Sequence, residues 1–392
     1  MLSIRLAFKN LLGAGLRTWL NAFVLSLAFV MIVFQMGFIE GWNVQAKQDT
    51  TDWEVGGGEY WQKSYDPYDI LSLNDAHSPV PAEMTGLCSQ GKAAPILVTQ
   101  AAIFPGGRMK NILLKGIDPG QKAVRLPSAA LASDTAGETP AIIGTRMMAV
   151  TGLKKGDMVT LRWRDANGTF DAREIRIADV FHSSVPSIDN NQVWISLPVL
   201  QKMTEMPGNA TYIVLPKEQT TTPPVMPGWI YRDHNFLFQD IDIIIKEKSI
   251  AGVVIYLLLL SLALLAVFDT QVLSIFRREK EIGTYIALGM TRWQVVRLFT
   301  LEGAMNSILS LFLAALWGTP LLWMLARNGY ALPKGTEGYG LTIAEKIFPT
   351  YSIAMVFSMA LIVMITTTIV SFIPSRKIAG MKPTEALRGK SL

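Results

Sequence analysis

Cysteine is almost missing. The 392 residues hold one, Cys88. A lone cysteine has no partner within the chain, which excludes an internal disulfide framework. A small, buried, apolar place suits it best. Histidine is scarce as well, with His77, His182 and His234 only. None stands at metal-ligand spacing. Ser183 and Ser184 follow His182, but no G-x-S-x-G turn surrounds them. Neither a catalytic constellation nor a metal site is expected. Charge is the third shortage: 17% of residues are charged and 50% are apolar, a balance that points to membrane segments. The net charge of +5 then fits basic loops on one membrane face, and nucleic acid is not an expected partner.

A phosphate-binding loop is also absent. "GLCSQGKA", Gly86 to Ala93, comes near to G-x-x-x-x-G-K-[ST]. Ala93 has no hydroxyl for magnesium, and no apolar strand leads into the stretch. No cofactor is expected on this chain.

What is present is a set of long apolar runs. A membrane helix needs about 20 mostly apolar residues. Four segments qualify: Thr18 to Ile39, Ile250 to Phe276, Leu298 to Leu325, and Tyr351 to Ile373, the last ended by Pro374. The first is too long for a signal-peptide core and no small-x-small cleavage site follows, so it reads as a retained span. Lys and Arg gather in three places: Arg5, Lys9 and Arg17 before span one, the loop between spans two and three, and Arg376, Lys377, Lys382, Arg388 and Lys390 at the end. Four spans put all three on the cytoplasmic side, with both termini there. The loop from Asn328 to Thr350 balances Lys334 and Lys346 against Glu337 and Glu345, which suits the outside.

The organisation read from this is residues 1–42 as leader and span one, residues 43–248 as a large extracytoplasmic domain, and residues 249–392 as spans two to four with a cytoplasmic loop (277–297) and tail. The expected fold is a membrane α-helical chain with an α+β domain inserted after its first helix. In that domain Asn167-Gly168 separates two alternating runs, Val159, Leu161 and Trp163 before it, Ile175 and Ile177 after it, which is a strong hairpin signal. "QVWISL" and "ATYIVLP" read as strands, and "SLPVLQKMTEM" as a short helix capped by Ser196. Trp53, Tyr60 and Trp61 fit a packed core better than a groove.

The loop between spans two and three is the densest polar stretch. It carries Arg277, Arg278, Glu279, Lys280, Glu281, Arg292 and Arg297. Ile282, Tyr285 and Ile286 fall at helical spacing inside it. Gly289 can close that helix, and Thr291 with Gln294 forms a capping-box pattern that starts the next. A short amphipathic helix that shows acidic and basic groups, then a sharp turn, is expected. A solvated basic loop beside lipid headgroups and a docking element for a cytoplasmic partner both fit that description.

Those residues resemble the signature of the FtsX/MacB-type (type VII) ABC transporter permeases. The match runs through Arg277, Arg278, Glu281, Ile282 and Gly283, then Ala287, Leu288, Gly289, Thr291, Gln294 and Val295, then Leu301 and Glu302. The closing stretch adds Pro374, Arg376, Pro383, Glu385, Ala386, Leu387 and Arg388, and "AVTGLKKGDMVTL" resembles a stretch of that family's outer domain. The resemblance implies a non-catalytic subunit of the bacterial inner membrane, paired with a second permease subunit, identical or paralogous. A separate cytoplasmic ATPase dimer would bind ATP and magnesium and dock on the loop. Arg277, Arg278, Glu279, Glu281, Ile282, Gly283, Leu288, Gly289 and Thr291 are the coupling candidates it implies.

Within that family, Gly58, Tyr60, Trp61, Asp66 and Pro67 resemble the lipoprotein-releasing, LolC/LolE-like branch. That implies a lipoprotein substrate and a periplasmic lipoprotein carrier. Phe23, Leu27, Val30, Phe34 and Phe38 would line an acyl-chain groove between spans one and two. The alternatives are MacB-like efflux with an adaptor, and FtsX-like regulation of a cell-wall hydrolase or sensor. Asp269 and Glu302 are acids inside spans and are both expected to face protein and not lipid, Asp269 as an interfacial group that reaches water or pairs with Arg277 or Arg278, or as a hinge contact between subunits.

Overall fold

A computed structural model describes residues 16–132, 138–217, 224–331 and 346–380. The basic residues Arg5, Lys9, Lys382, Arg388 and Lys390, the loop charges Lys334, Glu337 and Glu345, and the closing motif from Pro383 onward lie outside the described residues. The described chain divides into two compact units: 16–42, 244–331 and 346–380 form one, and 43–132, 138–217 and 224–243 form the other.

The first unit is helical. Its helices are α1 (Leu16–Thr50), α2 (Gln239–Arg277), α3 (Glu279–Ala287), α4 (Arg292–Leu313), α5 (Thr319–Asn328) and α6 (Ile353–Arg376). A π turn, Ala314–Gly318, joins α4 to α5. Four continuous helical stretches, Trp19–Val55, Gln239–Arg277, Arg292–Asn328 and Ile353–Arg376, are long and apolar enough to cross a membrane. The first two run well past the apolar segments of the sequence, because a helix that has left the apolar phase carries polar residues at no desolvation cost. Pro374 does not end the last one. It sits in the final turn, where the Lys377 N–H still bonds back to the Pro374 carbonyl. A proline so near the helix end forfeits one hydrogen bond without breaking the turn.

Three helices meet along a layered seam. Leu260, Ala263 and Val267 of α2, Ala314 after α4 and Val363 of α6 form an apolar cluster with Leu25, Ile32 and Val33 of α1. Nearer the loop the seam turns polar. Gln271, Asn306, Thr367 and Ser371 are all buried there. Gly303 makes this contact possible: a Cβ at that position would overlap the Ser371 side chain.

The second unit is α+β. Its strands are β1 (Glu59–Gln62), β2 (Ser78–Pro79), β3 (Ala94–Ile103), β4 (Lys110–Ile117), β5 (Thr139–Gly144), β6 (Met158–Arg164), β7 (Phe170–Phe181), β8 (Gln192–Ser196), β9 (Asn209–Ala210), β10 (Tyr212–Val214) and β11 (Trp229–Arg232). Nine of them make one sheet, ordered β11-β1-β10-β3-β4-β8-β5-β7-β6, while β2 pairs with β9. The far half of β3 also pairs with β6 (Ala101 opposite Trp163), so β3, β4, β8, β5, β7 and β6 close into a barrel with no free edge. Ile103, Leu114, Ile143, Leu161, Ile175, Ile177 and Ile195 fill it.

The expected hairpin is β6–β7, with Arg164 opposite Phe170. Its turn is five residues, 165–169, and Asp165 accepts hydrogen bonds from the Asn167 and Thr169 N–H groups. Ser196 stands at the start of helix Leu197–Met203 but makes no cap bond. Pro198 occupies the first turn and lacks one of the N–H groups a cap would satisfy. Tyr60 and Trp61 lie in packed cores, and Trp53 stacks on Phe181 with ring centroids 6.1 Å apart. Cys88 is half-buried beside the Tyr60 cluster. The near-match at Gly86 is not a loop: Gly86 to Ser89 are the end of helix Ala82–Ser89.

Candidate functional site: the capped helix between the second and third long helices

The stretch from Arg277 to Arg297 folds as a helix, a stop and a new start. α3 ends in a two-bond C-cap. The Gly289 N–H bonds to the Ile286 carbonyl (3.1 Å) and the Met290 N–H to the Tyr285 carbonyl (3.0 Å). This arrangement needs a left-handed residue, and Gly289 supplies it with φ +99°. Met290 and Tyr285 both pack on the cluster beneath, the apolar contact that accompanies such caps. α4 then opens with a complete capping box: Thr291 Oγ1 accepts from the Gln294 N–H, and the Gln294 side chain accepts from the Thr291 N–H.

Ile282 of α3 sits wholly buried in a cluster with Ile275 of α2, Val295, Val296 and Phe299 of α4, and Ile378 beyond α6. One short helix is therefore seated on the ends of three long ones. Gly283 is buried on the same side, whereas Leu288 at the tip is 80% exposed.

Charge fixes the other end. Arg278 Nη1 donates to both oxygens of Glu302 in α4, at 2.8 and 2.9 Å. Its Nε and Nη2 donate to the two oxygens of Glu281, at 2.6 and 2.7 Å. The Tyr285 hydroxyl donates to Glu281 at 2.6 Å, and the guanidinium lies 4.8 Å over the Phe299 ring. Arg278 thus makes a double fork, the geometry for which a planar guanidinium is suited. The Arg278 hydrogen bonds hold the Glu281 carboxyl below the usual carboxylate range.

Of the two acids of the loop, one is hidden and the other is partly exposed but paired, so the helix shows less acidic character than the sequence reading expects. Glu279 is buried, and Glu281 is spent on Arg278 and Tyr285. Arg277, Lys280, Arg292 and Arg297 remain outward. The reason is local: a half-buried guanidinium needs counter-charge, and the nearest carboxylates are drawn in to provide it.

Of the acids inside spans, Glu302 faces protein as expected, with Arg278 as partner. Sequence reasoning missed that pairing. A signal for it exists in the chain: Arg278 and Glu302 are equidistant from Met290, as antiparallel neighbours around a turn should be. Asp269 is different. It is exposed, on the same face of α2 as the exposed Leu262, Leu265 and Leu273. It makes no ion pair among the described residues, because Arg278 is committed to the two glutamates.

The expected groove on α1 is also placed differently. Phe23 lies 6.2 Å from Trp317, Val30 packs on Gly318, and Phe34 and Phe38 meet the Tyr330 ring at 6.1 and 5.8 Å. Phe23 and Val30 thus face the π turn between α4 and α5, Phe34 and Phe38 face Tyr330 just past α5, and Leu27 is half-exposed. The side of α1 toward α2 is instead marked by Asn21, which donates to Thr270, and by Gln35 and Ile39 against Gly252. The helical phase assigns the aromatic stripe to one neighbour and the polar stripe to the other. Among the described residues, no group of three or more His, Cys, Asp or Glu side chains is arranged to hold a metal ion.

The capped helix, α4, α6 and the part of α2 from residue 253 onward fall within a stretch that matches a family model, "FtsX-like permease C-terminal", over residues 253–383. Residues 253–383 are an FtsX-like permease domain. Beyond this domain, the chain is similar to the "Lipoprotein-releasing system transmembrane protein LolC" of Xylella fastidiosa (strain 9a5c), 22% identical over 326 residues, 76% of this chain and 77% of that protein. The protein of the same name from Neisseria meningitidis serogroup B is 22% identical over 328 residues, with the same coverage of both chains. The similarity therefore extends outside the FtsX-like domain.

Proposed function

We propose that this chain is the permease subunit of an ABC transporter that passes motion from a separate cytoplasmic ATPase to its β domain, and that the output is release of lipoproteins from the inner membrane. The observation that carries the reading is the seating of α3. It is closed by the Gly289 cap, packed through Ile282 onto the ends of α2, α4 and α6, and tied to α4 by Arg278–Glu302. A push on such a helix is delivered to three long helices at once. ATP and magnesium belong to the partner on this reading, and the lipoprotein output is carried over from the relatives, which are named for it.

A second permease subunit, identical or paralogous, fits the exposed Asp269. A carboxylate facing lipid costs about 2.5–3.5 kcal/mol at the bilayer centre and less toward the interface, where Asp269 stands two turns before the end of α2, so a protein surface over that face stabilises it modestly. The termini and α3 then lie in the cytoplasm and the β domain in the periplasm, with a lipoprotein carrier as its partner there.

The test is extraction of the chain from native membranes into nanodiscs, with mass spectrometry of what is retained. An ATPase together with acylated lipoproteins is the expected result. An ATPase with an adaptor, a hydrolase or a kinase would keep the permease and replace the output. An intact chain with no ATPase would end the coupling reading.

A further inference from the structure

Trp293 and Phe372 meet across the seam between α4 and α6. Their rings stack with centroids 6.5 Å apart and planes 12° from parallel, yet both side chains are exposed. Two bases stand beside this aromatic plate. Arg297 is one turn on from Trp293 and Arg376 is one turn on from Phe372, and both are exposed. Residues four apart share a helix face, so with the rings stacked both bases lie on the same side of the helix pair. They also lie at one level. Gly303 of α4 sits against Ser371 of α6, and Val295 and Phe299 pack with Ile378, so the two helices run antiparallel. Counted from the Gly303–Ser371 crossing, Arg297 is about 9 Å and Arg376 about 7.5 Å toward the α3 end, at a rise of about 1.5 Å per residue. No acid offsets them: among the described residues none occurs from 291 to 301 or from 353 to 380. Toward the middle of α6 the same face continues as Ile369 and Ile365, both exposed.

We infer that this face binds an anionic phospholipid of the leaflet at the α3 end, with its phosphate between Arg297 and Arg376 and its chains over Ile369 and Ile365. A guanidinium presents a fork of N–H donors that fits phosphate oxygens, and two forks at one level can share a single headgroup. An indole favours the boundary between headgroups and chains, and the stack on Phe372 holds Trp293 there across two helices. The capping box at Thr291 fixes the turn from which Trp293 and Arg297 project. Large aliphatic side chains below a pair of bases repeat the order of a phospholipid, chain below headgroup, and this favours lipid over a protein ligand. A zwitterionic headgroup fits less well, because its own cation opposes two arginines that no acid offsets. A headgroup so held bridges α4 to α6 at the end on which α3 is seated, and lipid composition then acts on that pair of helices. The site needs these helices to span the membrane and does not need the ATPase.

The experiment uses the full chain in phosphatidylcholine nanodiscs and reads Trp293 fluorescence quenched by brominated lipid. The Trp293 signal is the difference between the wild type and Trp293→Phe, which keeps an aromatic ring against Phe372. Brominated phosphatidylglycerol and brominated phosphatidylcholine are compared at equal mole fraction. Phosphatidylglycerol should quench at least about threefold more strongly, since each base near the surface adds its own attraction for an anionic headgroup. Arg297→Gln with Arg376→Gln should bring the two lipids to parity. Arg297→Lys with Arg376→Lys keeps the charge and should keep most of the preference. Inorganic phosphate added to the wild type should leave the preference in place, because it has no chains to lie on α6. Equal quenching by the two lipids in the wild type overturns the inference, and so does a preference that survives the glutamine pair. A lysine pair as poor as the glutamine pair points to lost packing and overturns it as well. A preference abolished by inorganic phosphate assigns the bases to a free anion and has the same consequence. Absence of quenching by either lipid would show this face covered by protein, which ends the lipid site and leaves the proposed function standing.

Discussion

Glu59 is a carboxyl group set in the apolar side of a sheet. It is 4% exposed, accepts a hydrogen bond from the Trp61 indole, and shares its face of the sheet with Lys115, which is 5% exposed. Burial pushes the Glu59 carboxyl up to about 8, against the Trp61 bond that pulls it down. Lys115 is pushed below its ordinary value by its own burial; its Nζ lies 3.3 Å from the Tyr212 hydroxyl and 5.0 Å over the Trp194 ring. The signs are opposite. The raised acid contributes stability that is full below its unfolded value and is lost as pH rises toward and through about 8. The depressed lysine contributes stability that is lost as pH falls through its folded value. Glu59→Gln keeps an acceptor for Trp61 and removes the acid. The thermal midpoint, read by tryptophan fluorescence, should fall less in the variant than in the wild type between about pH 5.5 and about pH 8.5. Parallel profiles would show that Glu59 is not the titrating group.

At the scale of elements, the contact between α4 and α6 depends on a missing side chain. Gly303 brings α4 against Ser371, and the Gln271 amide of α2 comes within 2.8 Å of where its Cβ would be. Gly303→Ala should therefore lower the thermal midpoint in nanodiscs, with an overpacking cost of about 1–3 kcal/mol. Ser371→Gly made in the same chain should return part of that loss. A double variant no better than Gly303→Ala alone would mean that the helices separate for another reason. Among the described residues, the hydroxyl of Ser371 and that of Thr367 have no hydrogen-bond partner, and neither does the Asn306 side-chain oxygen. The layer is thus held by shape and not by pairing, and it gives the helices little polar grip on one another.

For the whole molecule, the near-absence of cysteine becomes an experimental advantage. In a Cys88→Ser background, cysteines placed at Ala166 in the β6–β7 turn and at Ala287 on α3 are each alone and exposed. An impermeant maleimide should label Ala166→Cys only from the periplasmic side and Ala287→Cys only from the cytoplasmic side. Labelling of both from one side would overturn the four-span arrangement of the chain. Asp269 lies on a face of α2 that the described residues leave uncovered.

Much of this was written along the chain. Apolar runs of sufficient length mark four helices, because a lipid phase admits little else. The alternation through Val159, Leu161 and Trp163 marks β6, since its side chains point to opposite faces by turns. Gly289, Thr291 and Gln294 mark a stop and a start, because caps are made by residues next to one another. Only the tertiary structure decided the rest. Closure of the barrel through β3 and β6 joins strands that are far apart in the chain. The assignment of Phe34 and Phe38 to Tyr330 depends on which neighbour a helical face meets, and periodicity gives the face without the neighbour. The choice of Glu302 and Glu281 as partners of Arg278 ties the loop to α4, and no spacing in the chain names those partners. Local order is set by bonds between near residues, whereas partners across space are set by packing, which no short stretch contains.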